Sequence, residues 1–140
     1  MPEEDKDTLA RTIYGEARGE YPRKDGGLAS LIAVANVILN RSKNNKRRFG
    51  RTVRDVCLKP LQFSCWNEKD LNRKMIEAID SNHPLFQLCL NVAEKTMDGV
   101  WPDLTKGSDH YHADYVLPNW TQGQDYQVKI GRHLFYKLER

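Results

Sequence analysis

The longest apolar stretch of the chain lies between Leu28 and Leu39. Leu28, Leu31, Ile32, Ala35, Ile38 and Leu39 recur at helical spacing, and Ala29, Ala33, Val34 and Val37 widen that stripe nearly all round. A helix apolar on most sides sits at the centre of a fold, so residues 28–43 are expected to form the buried helix on which the rest packs. Before it, Leu9, Ile13 and Ala17 share a face of a helix predicted from Asp7 to Arg18, with Asp7 or Thr8 as cap and Gly19 as stop. Residues 1–6 are polar and expected to be flexible. Thr52 reads as the cap of a short helix ending near Leu58. Leu71, Met75, Ile76 and Ile79 mark a helix over 69–79, which Asn82-His83-Pro84 breaks, and Leu85, Leu88, Cys89, Val92, Ala93 and Thr96 mark another that stops at Gly99. Beyond Gly99 the period becomes two. Tyr111, Ala113 and Tyr115 alternate with His110, His112 and Asp114, and residues 126–130 and 133–137 read as strands joined by a tight turn at Gly131-Arg132. Helices followed by a small antiparallel sheet give an α+β fold, one mostly helical domain over residues 1–140.

Composition narrows the field. With 39% hydrophobic and 29% charged residues the chain is globular. Its net charge of +3 is too small to argue for nucleic acid, though it suits a polyanionic envelope. Lys43, Lys46, Arg47, Arg48 and Arg51 crowd one segment, but only Phe49 is interleaved with them, so the run reads as a solvated loop. No apolar run approaches membrane-spanning length. Cys57, Cys65 and Cys89 are odd in number and lack a CxxC pair, which reads as reduced thiols without a disulfide. There is no glycine-rich phosphate loop and no GxSxG elbow.

Candidate chemistry begins at the end of the first helix, where Glu16 and Glu20 stand four apart. A carboxyl group in the last turn of a helix lies at the negative end of the dipole, which favours the protonated acid. A half-buried, protonated carboxyl is what acid cleavage of a glycosidic bond requires. The same spacing also describes a surface glutamate beside Arg18. Gln62, Phe63, Ser64 and Trp66 in one loop, with Tyr111, Tyr115 and Trp120 later, supply the aromatic faces and amide groups of a sugar groove, or else part of the core. His110 and His112 share a strand face beside Asp109 and Asp114, the donor types of a zinc site; that would make an amidase or endopeptidase, although no HExxH accompanies them.

Tyr14-Gly15-Glu16-Ala17-Arg18-Gly19-Glu20 resembles the signature of the SleB-type cell wall hydrolases, the family of spore-cortex-lytic enzymes and their bacterial and phage relatives. Four further segments resemble it in the same order: Ala33 to Arg41, Gln62-Phe63-Ser64, His110 to Trp120, and Ile130 to Tyr136. The resemblance implies a lysozyme-like fold, Glu16 as the catalytic residue, and cleavage of the peptidoglycan glycan strand between N-acetylmuramic acid and N-acetylglucosamine, in several members by lytic transglycosylation. It calls for no metal and no cofactor. It leaves Gln62, Phe63, Ser64, Trp66, His110, Tyr111, His112 and Trp120 as candidate substrate-binding residues, and Glu20 as either a second contact or a structural carboxylate. A non-catalytic glycan-binding relative is the alternative of another class. The enzyme is expected to act as a monomer. Met1-Pro2-Glu3-Glu4-Asp5 is acidic, unlike a signal peptide, so delivery by a phage particle or release from the cytoplasm through a holin is expected.

Overall fold

The computed structural model describes residues 3–44 and 48–139. Met1 and Pro2 of the polar start, and Lys46 and Arg47 of the basic run, lie outside the described residues. Helices α1 (Glu3–Ala17), α2 (Gly27–Ser42), α3 (Val53–Leu58), α4 (Leu71–Ala78) and α5 (Pro84–Met97) precede strands β1 (His110–Ala113), β2 (Val128–Ile130) and β3 (His133–Tyr136). Short 3-10 turns occupy Ser64–Trp66 and Asn119–Thr121.

The all-round apolar helix is α2, and every residue from Ser30 to Leu39 is buried. It packs on α1, α3 and α5, and its Ala33 and Val37 meet Phe135 of the sheet. Burying a side chain such as Leu31 or Ile38 contributes about 1.5–3 kcal/mol each. Polar groups on this helix also have fixed partners. The Asn36 carbonyl accepts from the Leu104 N–H at 3.1 Å, and the Asn40 amide donates to Asp103 at 2.8 Å and to the Ser108 carbonyl at 2.9 Å. The two asparagines thus shape the loop leading into β1, not the segment carrying Glu16.

Helix α1 begins at Glu3, ahead of the Asp7 or Thr8 cap expected from sequence. The reason is tertiary: Asp5 is buried and accepts the Arg54 N–H of α3 at 2.9 Å. Thr52 caps α3 as expected, accepting from the Asp55 N–H. In α4 the expected apolar stripe fails. Leu71 is 94% exposed and Met75 is exposed too; only Ile76 is enclosed. Asp70 caps this helix through the Asn72 N–H, which sets the start at Leu71.

The sheet is antiparallel in the order β1-β3-β2, with Tyr111 opposite Phe135 and Ala113 opposite His133. Strand β1 ends at Ala113, short of Tyr115, which is 72% exposed beneath the Arg132 guanidinium. Tyr111 and Phe135 face the helices. On the opposite face His112 stacks on Tyr136, and Trp120 meets His110, His112 and Tyr136.

Candidate active site

The last turn of α1 carries Glu16, half-buried. Gly15 is needed there because a Cβ would stand 2.8 Å from the Cys65 Cβ, so the glycine lets the Ser64–Trp66 turn lie directly on the helix. Arg18 closes the helix end by donating to the Gly15 carbonyl at 3.2 Å and reaches the Asn72 side chain of α4.

Two groups meet the Glu16 carboxyl. The Tyr111 hydroxyl, from β1, donates to Oε1 at 2.6 Å. The Cys65 thiol approaches from the turn. Burial first, and the neighbouring Glu16 second, push the Tyr111 phenol well above its ordinary range, so it stays a hydrogen-bond donor. The Cys65 thiol is raised for the same two reasons. Cys57 and Cys89 are pushed up to about 12, chiefly by burial, and all three cysteines are free. These are inert structural thiols.

Arg41 of α2, 7% exposed, braces the two segments that reach Glu16. Its Nε donates to the Asp109 carbonyl at 2.7 Å, just before β1, and its guanidinium lies 4.9 Å from the Phe49 ring and 5.2 Å from the Phe63 ring. Sequence reasoning missed this role because an arginine at the end of a helix reads as a surface cation. Burial lowers its affinity for the proton, with Tyr111, Asp109 and Glu16 opposing that effect.

Glu20 is held elsewhere. It is 4% exposed and accepts three hydrogen bonds from Arg132: from the backbone N–H at 2.7 Å, Nε at 2.9 Å and Nη2 at 2.7 Å. Gly131, at φ 59°, lets that turn approach, since a Cβ there would stand 2.6 Å from the Glu20 Oε1. Burial would raise the Glu20 carboxyl, but the Arg132 hydrogen bonds outweigh it and hold the group below its usual range. Glu20 is therefore a structural carboxylate, and Glu16 stands as the carboxylate at the site with a phenol partner.

A family model described as cell wall hydrolase matches residues 27–136. The chain belongs to the cell wall hydrolase family. The matched span begins after Glu16, but the similarity to solved structures includes that segment. The chain is 27% identical to the catalytic domain of the germination-specific lytic transglycosylase SleB from Bacillus anthracis, with a TM-score of 0.72 and coverage of 98% of this chain and 97% of that one. It is 26% identical to the catalytic domain of the Bacillus cereus SleB protein, with a TM-score of 0.68 and coverage of 97% and 91%. It is also 27% identical, over 129 residues, to the spore cortex-lytic enzyme of Bacillus subtilis strain 168. That match takes in 91% of this chain, which spans 35% of the length of that relative.

Several residues singled out from the sequence are engaged within the fold of this cell wall hydrolase. Phe63 is 3% exposed and belongs to the core, the second of the two places its sequence left open, so it is not a groove residue. The Gln62 amide donates to the Phe49 and Val56 carbonyls at 3.2 and 2.7 Å, so it braces its own loop. His112 is 7% exposed, with its ring nitrogens bonded to the Ala113 carbonyl and the Tyr136 hydroxyl. His110 is half-buried and pairs with Asp109 at 2.8 Å. Among the described residues no group of three or more His, Cys, Asp or Glu side chains gathers to hold a metal. His133 is buried against the Tyr111 ring, and its Nδ1 has no hydrogen-bond partner among the described residues; burial pushes its pKa down. Ser64 is exposed, and Trp66 and Trp120 are half-buried. No helix among the described residues is long and apolar enough to cross a membrane.

Proposed function

We propose that this chain cleaves the glycan strand of peptidoglycan between N-acetylmuramic acid and N-acetylglucosamine, as a monomeric lytic transglycosylase or muramidase, with Glu16 as its one acid and base. The observation that carries the reading is the 2.6 Å hydrogen bond from the half-buried Tyr111 hydroxyl to the Glu16 carboxyl, at a helix end where the second carboxylate is spent on Arg132. The likeness to two SleB catalytic domains over nearly the whole chain favours this chemistry over an amidase.

The reaction needs only one carboxyl. Glu16 gives its proton to the bridging oxygen, and the bond from that oxygen to the anomeric carbon breaks. The substrate's N-acetyl carbonyl stabilises the cation left on the sugar. Glu16, now a carboxylate, takes the proton of the C6 hydroxyl, whose oxygen closes on the anomeric carbon as a 1,6-anhydro ring. In a muramidase, water replaces that hydroxyl. Tyr111 holds the carboxyl in one orientation through both steps. Ser64, Trp66, His110 and Trp120 are the remaining candidates for substrate contacts, since each keeps some exposed surface.

Glu16→Gln keeps the size and removes the proton. It should cut the clearing of purified sacculi by at least about a hundredfold, the size expected for one general acid–base group, with the melting temperature unchanged. Mass spectrometry of the digest distinguishes the two products, because an anhydro end is one water lighter than a hydrolysed end. An active Glu16→Gln variant would overturn the assignment.

A further inference from the structure

Three neighbouring depressions lie apart from Glu16, which lines none of them. They form a run of depressions between α3, the 60–70 loop and α4. The first, of about 640 Å³, is lined by Leu58, Pro60, Leu61, Trp66, Asn67, Glu68, Lys69 and Arg73. It shares Leu58, Trp66 and Arg73 with a second of about 490 Å³, and Glu68, Lys69 and Arg73 with a third of about 590 Å³.

Two features of this groove work against stability. Leu61 has φ 66°, the left-handed region that a branched apolar side chain avoids and Asn or Gly adopts readily. Its side chain is nonetheless 86% exposed, at the groove's rim. Strained backbone and a solvent-facing apolar side chain at one residue give the free fold nothing, and strain of this kind concentrates at ligand sites. Trp66, by contrast, is preset. Its indole N–H donates to the Thr12 hydroxyl at 2.8 Å, and its carbonyl accepts from Arg73 at 3.3 Å.

One turn of chain links the groove to the Glu16 segment. Cys65 and Trp66 belong to one turn: Cys65 packs on Gly15 and reaches Glu16, while Trp66 sits on Thr12. Thr12 and Glu16 are four apart on α1, about 6 Å along its axis. A polymer cut at Glu16 must run past one side of that turn. An indole face flanked by Asn67, Glu68, Lys69 and Arg73 offers what a sugar ring takes up: an apolar surface for its C–H face, and donors and acceptors for its hydroxyl and acetamido groups.

We infer that the groove lined by Leu61, Trp66, Asn67 and Arg73 is a distal subsite for sugar rings of the same glycan strand, away from the bond that is cut. This rests on the glycan-cleaving reading above. The test compares kcat/KM on long, peptide-free glycan strands with that on short oligomers of the same sugars, for wild type, Leu61→Asn and Trp66→Leu. Leu61→Asn relieves the strained φ, so its folding is secure. The long-to-short ratio should fall about tenfold in each variant, equivalent to about 1.4 kcal/mol, with melting temperatures retained in Leu61→Asn. Isothermal titration of the Glu16→Gln protein with peptide-free strands and with free stem peptide separates the occupants. Preference for the peptide would overturn the sugar assignment. Strands cut normally with an unmoved ratio would overturn the subsite alone, whereas wild type that cuts neither length would overturn the glycan-cleaving reading itself.

Discussion

Glu20→Gln tests the Arg132-bound carboxylate apart from Glu16, the proposed acid. The wild-type side chain accepts three hydrogen bonds from Arg132, two of them from the guanidinium. Glutamine keeps one oxygen for the backbone N–H but turns an amino group toward the guanidinium, donor against donor. Breaking a buried ion pair costs about 3–5 kcal/mol. The Arg132 side chain is 35% exposed, so water recovers part of that loss, and about 2–3 kcal/mol remains. For a domain of this size that corresponds to a melting temperature lower by about 10 °C at neutral pH. The pH dependence has a definite sign. The folded-state pKa of Glu20 is depressed, so its contribution is fully present above the unfolded value of about 4.3 and is lost as pH falls through the folded value. The gap between wild type and variant should therefore narrow below about pH 4. Thermal melts across that range, with activity on sacculi measured well below the melt, make the assay. A gap under about 2 °C at neutral pH, or one that does not narrow in acid, would refute the clasp. A well-folded Glu20→Gln protein that is dead while Glu16→Gln cuts would show the two roles to be exchanged.

Tyr111→Phe removes the 2.6 Å bond to Glu16 and leaves the ring stacked near Phe135. A hydrogen bond to a charged group is worth about 1.5–3 kcal/mol, so kcat on sacculi should fall by roughly tenfold to a hundredfold with KM little changed; a KM effect alone would make Tyr111 a substrate contact instead. Gly15→Ala sets a Cβ 2.8 Å from the Cys65 Cβ and should destabilise by about 1–3 kcal/mol. Chemical denaturation of Gly15→Ala alone and combined with Cys65→Gly should show part of that loss recovered, and strict additivity would contradict the contact.

Helix α2 was legible because its apolar pattern is long and unbroken, the late sheet because its period changes to two around a tight turn, and Thr52 as a cap because its chemistry is local. What stayed hidden depends on partners far along the chain. Asp5 looks like a frayed acidic start until Arg54 is beside it. Leu71 and Met75 complete a helical stripe on paper, but α4 lies on the surface and buries only Ile76. Phe63 and Trp66 are alike as exposed loop aromatics in sequence; Arg41 draws one into the core while Thr12 fixes the other at a groove. At the candidate site, the motif around Glu16 singled out its position at the end of α1. Its phenol partner and the diversion of Glu20 to Arg132 were not, because nothing local pairs residues so far apart.

Those distances order the life of the molecule in time. The partner of Glu16 stands 95 residues downstream, and the anchor of Glu20 stands 112 residues downstream. A ribosome makes the chain from its N-terminal end, so Glu16 and Glu20 are synthesised well before the residues that hold them. During translation the carboxyl has no phenol to orient it and no hairpin to pin the segment after it. The Glu16–Tyr111 and Glu20–Arg132 contacts are assembled only when β1 and the 131–132 turn have been made and have closed long loops onto α1. A nascent chain that has not yet reached these segments therefore holds Glu16 and Glu20 without the contacts that orient them.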